Sequence, residues 1–256
     1  MATLSIGEKG IRAIAQVQER QDPLSLDPIN GSRPEFEDYL ERMRPMVDDT
    51  IAKLAAARFR EDPIAGRKYS RATSIISSAY NRHGAILDRA LLERLKDCAR
   101  LRVSTEDEFK LSYDSLREVR VAERIDPLLR TQLPYGDRER SIRIDILVFD
   151  EESRAFNAYN LKRGNGHYDG GKRRSIQDEL VRVHMLLSDY GRMHGLEPES
   201  SHAHIIFYYG VLSLPPPLAI TGMALDEHFR FPVHEAIETV NAYFVSRLHA
   251  LIEEDA

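Results

Sequence analysis

The chain has 256 residues, 42% hydrophobic and 30% charged, with a formal net charge of −5. That suits one large domain, or one domain with an appendage, and excludes a disordered or low-complexity chain. No apolar run approaches the roughly 18 residues of a bilayer span, the lone Cys98 excludes an internal disulfide or a cysteine-based zinc site, and the acidic balance argues against a protein that coats nucleic acid.

The opening residues MATLSIGEKG lack the basic-then-apolar layout of a secretion signal. With the single cysteine, this leads to the expectation of a reducing, cytoplasmic setting and no membrane partner. Residues 4–21 have helical spacing (Ile11, Ile14, Ala15, Val17) and end at the breaker DPLSLDPINGSRP. From 34 to 60 the pattern is helical again, with Phe36, Tyr39, Leu40, Met43, Val47, Ile51 and Leu54 on one stripe. After DPIAGRKYS a long helix is predicted over 72–98, where Ile76, Tyr80, Leu87, Leu91 and Leu95 form an apolar face. Residues 104–130 are charged and ambiguous between a short helix and strands with loops.

The character then changes. Residues 142–149 and 155–161 alternate apolar and polar about the turn DEES, which predicts a β-hairpin. A glycine-rich loop (164–171) leads to a helix predicted over 175–190, with Ile176, Leu180, Val183 and Leu187 on one face. A near-continuous apolar strand (204–211), a triple proline (215–217) and a closing helix (232–253) follow. The order predicts an α/β core, a mixed sheet flanked by helices, over residues 67–256, preceded by a helical N-terminal region over 1–66.

The hairpin carries the candidate chemistry. Hydrolysis of a phosphodiester requires its charge to be neutralised and a water to be activated. A hard divalent cation, magnesium or alternatively manganese, does both and takes carboxylate and carbonyl oxygens. A nearby lysine orients the water and offsets developing charge. Asp145 lies on the first strand, and Asn160 and Lys162, two residues apart, share a face of the second. A plainer reading is a cross-strand ion pair between Asp145 and Lys162. Downstream, Lys162, Arg163, Lys172, Arg173 and Arg174 are opposed only by Asp169, either a DNA-backbone contact or a solvated charge run. The segment Gly166 to Lys172 has the spacing of a phosphate-binding P-loop, yet Arg173 stands where that motif needs a hydroxyl and Asp169 would face the phosphates. As a helix N-terminus flanked by cations, the same loop suits a DNA phosphate. His202 and His204 share a strand face without a third ligand, which favours packing over zinc. Tyr208 and Tyr209 read as core, with base stacking as the alternative.

Asp145, the turn and Asn160-Leu161-Lys162 resemble the core of the PD-(D/E)XK nuclease superfamily, the fold of many restriction endonucleases and DNA repair nucleases. In that resemblance Asp145 matches the first metal-binding acid and Asn160-Leu161-Lys162 the acid-x-lysine element. Arg82-x-Gly84-x-x-Leu87-Asp88 resembles the first core helix, which donates a further acid, here Asp88. A surface acid paired with a neighbouring arginine is the alternative for Asp88. The helix from Ser175 and the strand from His204 continue the order, so the resemblance covers about residues 72–212.

The resemblance implies a restriction endonuclease-like core and magnesium-dependent DNA hydrolysis of restriction or repair type, with a homodimer as a simple means of cutting two strands. Asp145, Asp88 and Asn160 would ligate the metal, Lys162 would position the water, and Arg163, Lys172, Arg173 and Arg174 would hold the DNA backbone. Asn160 departs from the pattern, because an amide offers an oxygen without a charge. The second acid has then moved to the next helix, where Glu179 and Asp178 are candidates, or Asp88 and Asp145 hold one metal with Asn160 as a neutral ligand. The third alternative is a catalytically impaired nuclease-fold protein that acts as a DNA-binding or interaction module. Ser175-x-x-Asp178 also has the pattern of a capping box.

Overall fold

A computed structural model describes residues 34–253, apart from 138, 165–167 and 211–213. The helix predicted at 4–21 lies outside the described residues. The apolar stripe of 36–54 forms helix α1 (Glu37–Ala55), and the long helix α2 (Gly66–Lys96) follows. Next come β1 (Leu101–Leu111), α3 (Tyr113–Val121), β2 (Arg140–Asp150), β3 (Ala155–Lys162) and α4 (Gly170–Met193). The chain continues as β4 (Ser200–Phe207), β5 (Ala219–Thr221), α5 (Leu225–Phe229) and α6 (His234–Glu253).

The five strands form one mixed sheet in the order β1-β2-β3-β4-β5. β1, β2 and β3 are antiparallel, whereas β4 and β5 run parallel to β3. Helices cover both faces. On one side Val47 of α1, Leu87, Leu91 and Leu95 of α2 and Val240 of α6 pack on Ile146, Val148 and Ile206 of the sheet. On the other, Leu180, Val183 and Leu187 of α4 pack on Leu147, Ala158 and Ile205. Helix α1 belongs to the first of these cores, and its Tyr39 hydroxyl donates to the Ala90 carbonyl at 2.8 Å. The second half of the predicted N-terminal region is therefore built into the same compact unit as the sheet. No helix among the described residues is long and apolar enough to cross a membrane.

Two boundaries differ from the sequence reading for identifiable reasons. Strand β1 lies in the ambiguous stretch because it is an edge strand, and its middle (Glu106, Asp107, Glu108) is charged rather than alternating. Helix α4 begins at Gly170 rather than Ser175, because Asp169 is its N-cap and accepts the Lys172 N–H at 2.9 Å. Two glycines read as loop are its first turn, and Asp178 caps nothing.

A row of histidines crosses the structure from α4 to α5. Ring centroids are 5.4 Å apart for His184 and His202, 5.9 Å for His202 and His204, and 5.4 Å for His204 and His228. Burial holds all four below the ordinary histidine value, and His204, pressed further by His228, falls to about 3. The unfolded chain takes up protons below about pH 6.5 that the folded chain refuses, so stability is lost as pH falls from there toward 3. The urea midpoint should drop between pH 7 and pH 5, and drop less steeply in His204→Gln. Gly222 supplies a second check: an added Cβ would lie 2.5 Å from the Tyr208 carbonyl oxygen. Gly222→Ala should therefore destabilise by about 1–3 kcal/mol in chemical denaturation.

Candidate active site

The hairpin is paired from Asp150 opposite Ala155 to Ile146 opposite Tyr159, and there its register ends. On the other side of β2, Ser104 pairs with Leu147 and Glu106 with Ile144, so β2 uses one residue more than β1 over this step. The extra residue is a bulge at Asp145–Ile146. Its effect shows in the cores: Ile144 packs on the α4 side and Ile146 on the α2 side, although regular alternation would put them together. Past the bulge β2 and β3 part, and side chains replace the missing ladder. The Leu161 N–H donates to Asp145 Oδ2 at 3.0 Å, and the Asp145 N–H donates to Asn160 Oδ1 at 3.1 Å. Asp145 and Asn160 thus face each other across a fork in the sheet, and the Asn160 oxygen holds the main chain of Asp145.

Asp88 enters this fork from α2, next to the buried Leu87 and one turn before the buried Leu91. Its carboxyl is pushed up to about 6, first by burial and then by the Asp145 carboxylate, while Lys162 and Arg143 oppose the shift. Residues 88, 143, 145 and 162 are therefore in one electrostatic cluster. Asp88 Oδ1 is buried with no hydrogen-bond partner among the described residues. Arg143 Nε lies 3.8 Å from Asp145 Oδ1 and 3.6 Å from Asp107 Oδ1. The plain ion pair between Asp145 and Lys162 does not form: the guanidinium beside Asp145 is that of Arg143, and Lys162 is exposed at the end of β3. One turn before Asp88, a Cβ on Gly84 would meet no atom within 4 Å, so the helix leaves open space beside the fork.

Glu179 and Asp178 do not join the cluster. Glu179 Oε2 accepts from Arg140 at 2.6 Å, in a cleft of about 560 Å³ that Arg120, Arg174, Arg182 and Asp178 also line. A second acid supplied by this helix is thus a sequence expectation that the geometry corrects, since Glu179 is committed to Arg140. Among the described residues no group of three or more His, Cys, Asp or Glu is placed to hold a metal ion. The start of α4 is no free phosphate cradle either, because the Asp169 carboxylate already occupies its first turn, which holds that carboxyl below its ordinary value.

The basic residues divide. Arg163 donates from Nε to His83 Nδ1 at 3.0 Å, and its guanidinium lies 3.6 Å from the centroid of Tyr80 and 5.4 Å from that of Tyr209. Lys172 sits 4.7 Å over the Tyr168 ring, Arg173 is exposed, and Arg174 belongs to the cleft. With Nδ1 accepting, His83 carries its proton on Nε2 and donates to Asn241 Oδ1 at 2.9 Å. The Asn241 amide and the Tyr208 hydroxyl both donate to Glu238 Oε1 at 2.7 Å. Burial, chiefly, holds His83 below the ordinary histidine value. Arg143, Tyr80 and His83 were missed from sequence. Arg143 shares strand parity with Asp145 and Tyr80 shares a helix face with Asp88, whereas nothing local marks His83.

No protein-family model, curated protein or solved structure matches the chain.

The raised Asp88 gives a stability test independent of any activity. A folded value near 6 against an ordinary 3.8 means that its stabilising contribution is complete below pH 3.8 and is lost as pH rises through 6. Above that, the carboxylate is a burden on the fold. Asp88→Asn should therefore stabilise the protein at pH 8 in EDTA by on the order of 1 kcal/mol after solvent screening, and change it little near pH 4, as read by thermal denaturation.

Proposed function

We propose that this chain is a magnesium-dependent nuclease that hydrolyses DNA phosphodiester bonds, with Asp88, Asp145 and Asn160 facing the metal and Lys162 facing the attacking water. The observation that carries this reading is the unpartnered, buried Asp88 oxygen beside the Asp145 carboxylate and the Lys162 ammonium. Two carboxylates in a half-buried fork repel, and a buried oxygen left without a partner is costly. A hard divalent cation relieves both, and two carboxylates with an amide oxygen are the donors it prefers.

Asp145 has one oxygen fixed by the Leu161 N–H and the other turned toward Arg143, so its position is set before any ligand arrives. Lys162 extends from the last residue of β3, where its carbonyl accepts the Tyr208 N–H at 2.9 Å. That rigid base suits it to orient a water and to offset the charge that develops on the phosphate. The cation, when bound, would neutralise the phosphate and acidify its water. A second reading, a nuclease fold that binds DNA and cuts poorly or not at all, draws support from Asn160, whose oxygen is engaged with the Asp145 main chain.

Plasmid nicking in magnesium or manganese separates the two. On the nuclease reading, Lys162→Ala and Asp145→Asn each reduce nicking by about 100-fold or more; nicking that survives both variants defeats it. DNA binding without nicking, together with nicking restored in Asn160→Asp, supports the second reading. Millimolar magnesium should also raise the thermal midpoint of the wild type at pH 8 but not that of Asp145→Asn.

A further inference from the structure

We infer that the entrance to this site is a stacking platform for an unpaired DNA strand, in which bases lie against the exposed ring of Tyr80 and the uncovered part of the half-buried Tyr168 ring, beside Arg163 and Lys172. The inference rests on the nuclease reading and narrows its substrate to single-stranded or frayed segments. Arg163 directly follows Lys162, and its half-buried guanidinium is clamped between Tyr80 and Tyr209 and tied to His83. The clamp is anchored inward, because the His83 ring stacks on Tyr209 (5.9 Å between centroids, 17° between planes) and on the buried Phe244 (5.1 Å, 24°). Outward, Tyr80 and Tyr209 remain 50% and 48% exposed. An aromatic ring held rigidly by a cation on one face and open elsewhere is costly to leave in water and well prepared to receive another flat π-system.

A second ring–cation pair adjoins the first, on a ring whose inner side packs against Phe207. Tyr168, on the loop between β3 and α4, carries Lys172 over its ring at 4.7 Å. Burial first, and then the nearby Tyr80, hold the Tyr168 hydroxyl above its ordinary value. The chain leaving β3 passes against Tyr80 as well, since a Cβ on Gly164 would lie 3.8 Å from the Tyr80 hydroxyl. Tyr80 and Asp88 are two turns apart on one face of α2, roughly 12 Å, with open space at Gly84 between them. A strand whose bases stack at Tyr80 would therefore run past Gly84 toward Asp88 and Lys162.

Alternating aromatic and cationic groups of this kind bind single strands with little regard to sequence, because every base has a π-face. In an intact duplex those faces are stacked on neighbouring base pairs, and only base edges reach the grooves. Duplex binding would instead draw on many phosphate contacts, for which a chain of net charge −5 is poorly equipped.

The test is fluorescence anisotropy in EDTA, where nothing is cut, with a labelled single-stranded oligonucleotide and the same strand in duplex. The wild type should bind the single strand more tightly. Tyr80→Ala should weaken that binding about tenfold or more and leave duplex binding nearly unchanged, Tyr168→Ala should act likewise, and Tyr80→Phe should stay within about twofold of wild type. Tyr80 is a surface residue, and the unaltered duplex affinity serves as the internal check on folding. Preference for the duplex, equal losses on both probes, or an unchanged single-strand affinity in Tyr80→Ala would overturn the inference. Tyr80-dependent binding with no Lys162-dependent cutting of the same single strand in magnesium leaves the platform standing and removes the nuclease. Lys162-dependent cutting of that strand with no effect of Tyr80 on binding does the reverse, and failure both to bind and to cut it removes both.

Discussion

Two hydrogen bonds set the geometry of the open end of the sheet. Where β2 and β3 stop pairing, main-chain groups would be left without partners, and Asp145 and Asn160 supply them from their side chains. The bulge that turns Asp145 into the gap is also what lets the strands part. Both residues are thus structural and positional at once. A carboxylate recruited to satisfy the backbone is held in a fixed place, and that place lies within electrostatic reach of Asp88. The strands further along stay regular because Ile146, Val148 and Leu147 still find a core on each face.

Around the fork, charge is arranged without being cancelled. Asp88 keeps a buried oxygen unpaired, Lys162 stands exposed at the strand end, and Arg143 is shared loosely between two aspartates. Other acids and bases are paired more closely, as Arg182 is with Glu139 at 2.7 Å and Arg140 with Glu179 at 2.6 Å. The fork thus leaves charge available at the bulge. This also explains why an amide at position 160 is compatible with this arrangement: a third negative charge beside Asp88 and Asp145 would raise the repulsion that Asp88 already bears.

The hairpin was legible because both its strands alternate, and α2 because its stripe is long. Strand β1 was not, since an edge strand with solvent on one side need not alternate. The residue types of the site could be read, but its geometry could not. Parity arguments assume a regular strand, and the bulge at Asp145 breaks that assumption without leaving a glycine or proline as a sign. The partners of Arg163 and Glu179, namely Tyr80, His83 and Arg140, could not be read locally, because they are 39 or more residues away in the chain. The cap at Asp169 was hidden by two glycines that ordinarily mark a loop.

The bond from Arg163 to His83 makes the position of a permanent cation depend on the state of a neutral ring. Nδ1 of His83 can accept from Arg163 only while that nitrogen is bare. A proton there would turn an acceptor into a donor that faces another donor, and Arg163 would lose its tie to the core while keeping its charge. The entrance next to Lys162 is therefore ordered by an uncharged histidine, and acid would loosen it while also protonating Asp88 inside the fork.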